Sequence, residues 1–501
     1  MNTFMNTLNN NMNYTRTENG ALAHKSTNSA VYDMFAFGGA YRQKSDEDCI
    51  LLFKNAYEED PELALKCLFY LRDCRGGQGE RRFFRVCFKW YATRYPWHAE
   101  KYVKYLPYYG RYDDLFILFD TPVEGQMIAL VKNQLELDME CKENGISLLA
   151  KWMPSINTSS AETRKIAQRF IKTFNVTEKQ YRKMLSKLRE KINVLERLMS
   201  LNQWDQIVFD KIPSKAGLIY KNAFARRDII SKKYESFIKD ESTTVNADTL
   251  YPYEIVKQAI ACRHKKLDDV DRLTVNKYWE NQKDYLEGAD LSMLCVIDTS
   301  GSMTWGSSVR PIDVAISLGL YSAERMSGPF ANQYISFSSR PQLIKTEGID
   351  FVDKVDRIYK TNLCDNTNLT AVFDLLLNTL EKKNVREADL PKTICIISDM
   401  QMDYGLISYK GEDLLTEMET IREKWAARGH KLPNLIYWNV NASEPVILDK
   451  GKGVSYVSGC SPTIFKSVLT GKTGYDLMIE TLMSERYANI TYSRMREKFN
   501  L

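Results

Sequence analysis

Three short stretches concentrate acids and hydroxyls: "LCVIDTSGSM" (294–303), "DNTNLT" (365–370) and "SDMQMD" (398–403). In the first, an apolar run ends abruptly in Asp298, Ser300 and Ser302. The second carries Thr367, and the third sets Asp399 directly after the apolar run "TICII". All five side chains are hard oxygen donors. Two carboxylates and three hydroxyls suit Mg²⁺ or Mn²⁺ in octahedral geometry with waters completing the shell. Gly301 lets the chain turn sharply between the two serines. As a bare pattern, Asp-x-Ser-x-Ser is a weak signal. It becomes specific because it follows an apolar strand and is joined by a threonine loop and a strand-end aspartate. The plainer alternative is that Asp298 and the serines only cap the next helix.

A second chemistry is suggested by charge. The chain carries a net +5, but residues 151–240 hold 20 Lys and Arg against 9 Asp and Glu. Residues 291–501 are close to neutral, with 24 basic and 25 acidic groups. A local basic excess argues for a polyanionic partner. Arg164, Lys165, Arg169, Lys172, Lys179, Arg182, Lys183 and Lys187 are the candidates for an RNA-facing surface, with Arg189 and Lys191 beside them. The bland alternative is a set of solvated helix faces. Tyr181 and Trp204 could stack bases, though core packing is the commoner fate of either. "CRGGQGERRFFR" (74–85) also reads two ways. It is either a glycine turn presenting Arg75, Arg81, Arg82 and Arg85 to phosphate, or a helix corner with Glu80 paired to an arginine. The corner is preferred for the glycines.

Other chemistries are absent from the pattern. "GKT" (471–473) lacks the glycine that a phosphate loop needs where Lys466 stands, and follows no strand. The four histidines are far apart, and no GxSxG elbow occurs. A single metal with a hydroxyl-rich shell and no evident general base suits holding a ligand better than cleaving one. The chain is therefore expected not to be an enzyme.

These residues need elements to position them. Residues 1–26 are polar and Asn-rich and read as a disordered tail. Residues 27–290 show apolar positions at three- and four-residue intervals with no strands, which predicts an α-helical repeat domain, a HEAT-like solenoid. Asp60-Pro61 reads as a helix N-cap followed by first-turn proline. From 291 to 501 short apolar strands alternate with helices, which predicts an α/β doubly wound, Rossmann-like domain. Ligands of such sheets bind beyond the carboxyl ends of the strands, where all three oxygen-bearing loops fall. No run approaches the ~20 apolar residues of a membrane helix, no secretory signal is visible, and the ten cysteines stand singly. A cytoplasmic protein without membrane contact is expected.

The Asp298, Ser300, Ser302, Thr367 and Asp399 set resembles the metal-ion-dependent adhesion site of von Willebrand factor A domains. That resemblance implies hydroxyls binding the metal directly, carboxylates partly through water, and one position left open for an acidic group from a protein partner. More widely, "LRDCRGGQGERRFFR", "LAKWMPSINTSS", "WDQIVFDKIPSKAGLIYKNAF", "LYPYEIV", "LIYWNVN" and "GVSYVSGCSPTIF" look like an uncharacterised family of plants, fungi and large viruses or phages. Its members place a helical region before a terminal A domain. In layout the family is similar to the Ro (TROVE) proteins, whose helical ring binds structured RNA and RNA ends. Here that likeness rests on domain order, "LYPYEIVKQAI" and the metal-site triplet. It implies RNA binding, structured or single-stranded, with the metal recruiting a protein. The alternative is a metal-dependent protein-interaction or virion-associated module with no role for RNA.

Overall fold

The computed structural model describes residues 13–141, 146–192, 194–306, 309–361, 366–382, 386–403, 408–410, 413–442 and 445–493. Among the described residues there are ten strands: β1 (Tyr14–Arg16), β2 (Leu22–His24), β3 (Met293–Asp298), β4 (Gln333–Phe337), β5 (Leu343–Lys345), β6 (Thr393–Ser398), β7 (Ser408–Lys410), β8 (Asp413–Leu415), β9 (Asn434–Asn439) and β10 (Val454–Ser458). Between Ala30 and Glu280 the described chain is helical, as its periodicity predicts. Local chemistry sets the helix starts. Asp60 accepts the Leu63 N–H at 2.9 Å ahead of Pro61. Ser160 does the same for Thr163, opening the helix Ala161–Thr173.

The C-terminal region is built on a six-stranded sheet ordered β10-β9-β6-β3-β4-β5. All pairs are parallel except β4 with β5, so the sheet is mixed rather than wholly parallel. The antiparallel β5 is a three-residue edge strand, too short to show as an apolar run. β3, β6, β9 and β10 are buried at nearly every position, so both faces of the sheet are covered. From β3 the chain winds first toward β4, then returns to β6 on the other side. The crevice between the ends of β3 and β6 is therefore the point where the winding reverses.

The expected disordered tail is corrected over residues 13–26; residues 1–12 lie outside those described. β1 and β2 form an antiparallel hairpin. The backbone of β2 pairs with Ile447, His24 and Ile447 each donating to the other at 2.8 Å. Tyr14 stacks on His24, whose Nε2 lies 3.1 Å from Glu419. Burial of these partners outweighs the polar composition that suggests a tail.

The two regions interlock at both ends of the helical part. The Gly39 N–H donates to Ser458 Oγ at 3.0 Å, and the Tyr456 N–H to the Tyr32 hydroxyl at 2.9 Å. Arg486 pairs with Asp73, and Lys66 donates to the Tyr487 carbonyl at 2.8 Å. At the other end, Arg272 grips Asp350 with two bonds of 2.7 Å, and Trp279 stacks on Phe351 with centroids 4.2 Å apart.

Candidate functional site

Asp298 is the last residue of β3, and Asp399 follows the last residue of β6. The register sets Ile297 opposite Ile397, which brings the two strand tips side by side. Ser398 Oγ donates to Asp298 Oδ2 at 2.5 Å, and the Ser300 N–H donates to Asp298 Oδ1 at 2.9 Å. Ser300 and Ser302 hydroxyls stand 3.2 Å apart, and Ser302 hydrogen-bonds Asp399. Four of the five predicted residues are thus drawn into one cluster. Thr367 reaches it at one remove. Its hydroxyl donates to the Gln401 carbonyl at 3.3 Å and accepts the Asp403 N–H at 3.2 Å, while its own N–H donates to Asp403 Oδ2 at 2.9 Å. The helix-cap alternative fails, since Ser300 and Ser302 turn toward each other and Asp298 accepts within its own loop and from β6.

The cluster is deeper than a loop surface. Asp298 is fully buried, and Asp399 is 2% exposed. Among the described residues no Lys, Arg or His pairs with either. Burial raises the Asp298 carboxyl above its usual range. Asp399 is pushed up to about 7, first by burial and then by the charge of Asp298. Two acids so placed cannot both ionise cheaply unless a cation joins them. No three His, Cys, Asp or Glu side chains among the described residues form a metal cage by themselves. The donor set of two carboxylates and two facing hydroxyls nonetheless fits a small hard cation that keeps several waters. Met400 takes φ +66°, a left-handed backbone for a non-glycine residue, and its N–H donates to Ser398 Oγ at 3.0 Å. Such strain is held where surrounding bonds over-determine it.

Several contributing residues escape the sequence reading. Asp403, four residues after Asp399, ties Thr367 to the loop, and its charge acts on Asp298. Gln401, 1% exposed, donates its N–H to Asp399 Oδ1 at 3.2 Å. Both lie in "SDMQMD", where a second acid at this spacing is a visible signal.

The basic segment divides into two populations. Lys165, Lys172, Lys179, Arg182, Lys183 and Lys187 are exposed. On the helix Glu178–Lys191, Lys179, Arg182, Lys183 and Lys187 recur at three- and four-residue steps, opposite the buried Tyr181, Leu185 and Leu188. Arg182 also borders a cavity of about 530 Å³ lined by Lys151, Trp152 and Arg197. Arg164 is exposed but turns back to the Thr158 carbonyl at 2.7 Å. Arg169 is a correction to the candidate set. It bridges Asp120 and Glu124 at 2.7 and 3.0 Å and lies over the Phe119 ring, so its charge is spent within the fold. Arg189 and Lys191 likewise serve backbone carbonyls, at Ala150 and Met153 and at the end of the helix Glu124–Glu140. Tyr181 donates its hydroxyl to the Pro154 carbonyl, and Trp204 is 4% exposed, so both are core residues.

The glycine stretch is a corner. Arg85 pairs with Asp113 and Asp114, Arg82 with Asp46, and Arg42 with Glu80. A Cβ on Gly77 would meet the Tyr70 carbonyl oxygen at 2.0 Å.

Fold and site together define a protein whose helical N-terminal region is locked to an α/β region with an oxygen-lined crevice at its strand ends. The chain belongs to the family described as a domain of unknown function (DUF2828), whose model matches residues 17–107 and 126–291. Residues 292–499 match a second domain of unknown function (DUF7788). The uncharacterized protein L728 of Acanthamoeba polyphaga mimivirus is 29% identical over 508 residues, covering 92% of this chain and 85% of that protein. Among solved structures, the Deinococcus radiodurans Ro (RSR) protein is similar at 12% identity and a TM-score of 0.47, covering 93% of this chain and all of that one. Among the described residues no helix is long and apolar enough to cross a membrane.

Proposed function

We propose that the protein binds RNA through its helical region and holds Mg²⁺ or Mn²⁺ in a C-terminal domain of von Willebrand factor A type. The convergence of Asp298, Ser300, Ser302 and Asp399 at the reversal point of the sheet, with no cation among the described residues to neutralise them, carries the metal assignment. Bound there, a divalent ion would supply a Lewis-acidic centre at the crevice. Ser300 and Ser302 would ligate it, and Asp298 and Asp399 would balance its charge. That arrangement would leave the ion a coordination position for a partner's acidic side chain. The exposed stripe Lys179, Arg182, Lys183 and Lys187 is the surface best disposed to meet phosphates.

Mn²⁺ titration by calorimetry tests the first part. The parent chain should bind one ion, and Ser300→Ala with Ser302→Ala should weaken it at least tenfold with little change in the unfolding temperature. Equal binding by parent and double variant removes the metal centre. For RNA, the affinity should fall linearly in log salt as counterions are released. Replacing Lys179, Arg182 and Lys183 with Gln should lower the slope by about 1.5–2. RNA binding that is absent in low salt leaves the metal-dependent interaction module as the surviving reading.

A further inference from the structure

The chain around the short helix Leu149–Trp152 is clamped against the helix Glu178–Lys191. Arg189 donates to the Ala150 and Met153 carbonyls at 2.9 and 2.7 Å, and to Ser155 Oγ at 2.9 Å. Tyr181 donates to the Pro154 carbonyl at 2.9 Å. These bonds fall on both sides of Trp152 in the chain. The Trp152 ring is also held by the Arg111 guanidinium, 4.6 Å from its centroid. The cleft of about 530 Å³ beside Trp152 is therefore shaped by the fold before any ligand arrives.

The lining combines two chemistries. Ile156, Tyr181, Leu185 and Val194 supply apolar surface next to the half-buried indole. Lys151, Arg182 and Arg197 supply cations. Arg197 is held by Glu190 at 2.5 Å, whereas Lys151 and Arg182 have no ion-pair partner among the described residues. Glu196 also lines the cleft. A carboxylate only accepts hydrogen bonds, which suits the amino edge of a base and not a phosphate. The volume falls within the roughly 300–1,000 Å³ of small-molecule sites. An aromatic and aliphatic slot with unpaired cations matches a flat heterocycle that carries phosphate. A fatty chain would leave the cations unused, and a bare anion would leave the apolar wall wet.

We infer that this cleft binds a single nucleotide, its base among Trp152, Ile156, Leu185 and Val194 and its phosphate at Lys151 and Arg182. This deepens the RNA reading above and rests on it for the source of the nucleotide. Arg182 belongs both to the exposed stripe and to the cleft. A strand lying along the stripe can therefore turn one unpaired nucleotide into the cleft. A free nucleoside monophosphate carries the same chemistry.

The test uses the full chain and two duplex RNAs that differ at one bulged position, a normal nucleotide in one and an abasic residue in the other. The parent should bind the normal bulge about tenfold more tightly, the gain expected of one stacked base. Ser186→Trp, at an exposed position of the lining, fills the cleft without removing a contact. It should erase the preference and leave the affinity for the abasic duplex unchanged. Trp152→Ala should erase it too, while Lys183→Gln should weaken both duplexes equally. Calorimetry with CMP and GMP probes the free ligand. Nucleotide binding that is lost in Ser186→Trp, without a preference between the duplexes, assigns the cleft to free nucleotides. If the preference survives both cleft variants, the base is read elsewhere and the cleft is not its site. If the parent binds the duplexes equally and neither nucleotide, the cleft takes no nucleotide although RNA binding stands. If nothing binds in low salt, the RNA reading and this site fall together.

Discussion

At the scale of single residues, Asp399 is the group whose ionisation matters most. Its folded-state pKa lies above its unfolded value, so the folded chain holds the proton more tightly. Without metal its contribution to stability is therefore greatest below about pH 4 and is lost as pH rises to about 7. Asp399→Asn lacks this penalty. In chelator the variant should be more stable than the parent by roughly 2–4 kcal/mol at pH 8, with the gap closing toward pH 4. In excess Mn²⁺ the order should reverse at pH 8, because only the parent gains from binding. Thermal melts of both chains from pH 4 to 8, with and without metal, measure this. The meeting of Asp298, Ser300, Ser302 and Asp399 was legible because they sit in two short stretches at the ends of β3 and β6, whereas Thr367 lies between two helices and joins at one remove. What the sequence does not show is depth. Asp298 is the end of a strand buried on both sides, so replacing it disturbs the sheet tip as well as the metal.

At the scale of elements, the helices Ala161–Thr173 and Glu178–Lys191 show why charge counting overstates a surface. Arg169 and Lys179 are indistinguishable by composition, yet one braces Asp120 and Glu124 while the other is exposed on the helix Glu178–Lys191. Arg169→Gln should cost about 1–2 kcal/mol of stability, through its ion pairs and its ring contact, and leave the salt dependence of RNA binding unchanged. The Lys179, Arg182 and Lys183 replacement should do the opposite. Denaturant melts set beside salt titrations separate the two roles. The hairpin teaches a different lesson. Asn19-Gly20, between Tyr14–Arg16 and Leu22–His24, is a strong local turn signal. Polar composition masked it, because a two-stranded hairpin is stable only against a partner, and its partners lie at residues 401–403 and 447.

At the scale of the molecule, alternation of helices and strands separates two regions on paper, but long-range contacts fasten them together. Hydrogen bonds such as Tyr456 to Tyr32 span 424 residues, and no local pattern announces them. The expected thermodynamic result is one cooperative unfolding transition for the full chain, with calorimetric and van't Hoff enthalpies in agreement. A fragment of residues 291–501, stripped of the partners of β10 and of the helix Pro311–Arg325, should be insoluble or bind hydrophobic dye. Two well-separated transitions, or a well-behaved fragment, would contradict this.

The docking of the hairpin also fixes an order in time. Residues 14–24 are made some four hundred residues before the loop at 401–403 and the bridge at Ile447 that receive them. At typical synthesis rates of about 5–20 residues per second, the hairpin waits roughly 20–90 s for its seat. The helical region is exposed for much of that interval with its terminal surfaces uncovered. β1 and β2 are thus made long before the segments on which they dock. Their docking needs a chain made as far as Ile447, and a product cut before residue 401 cannot form these contacts.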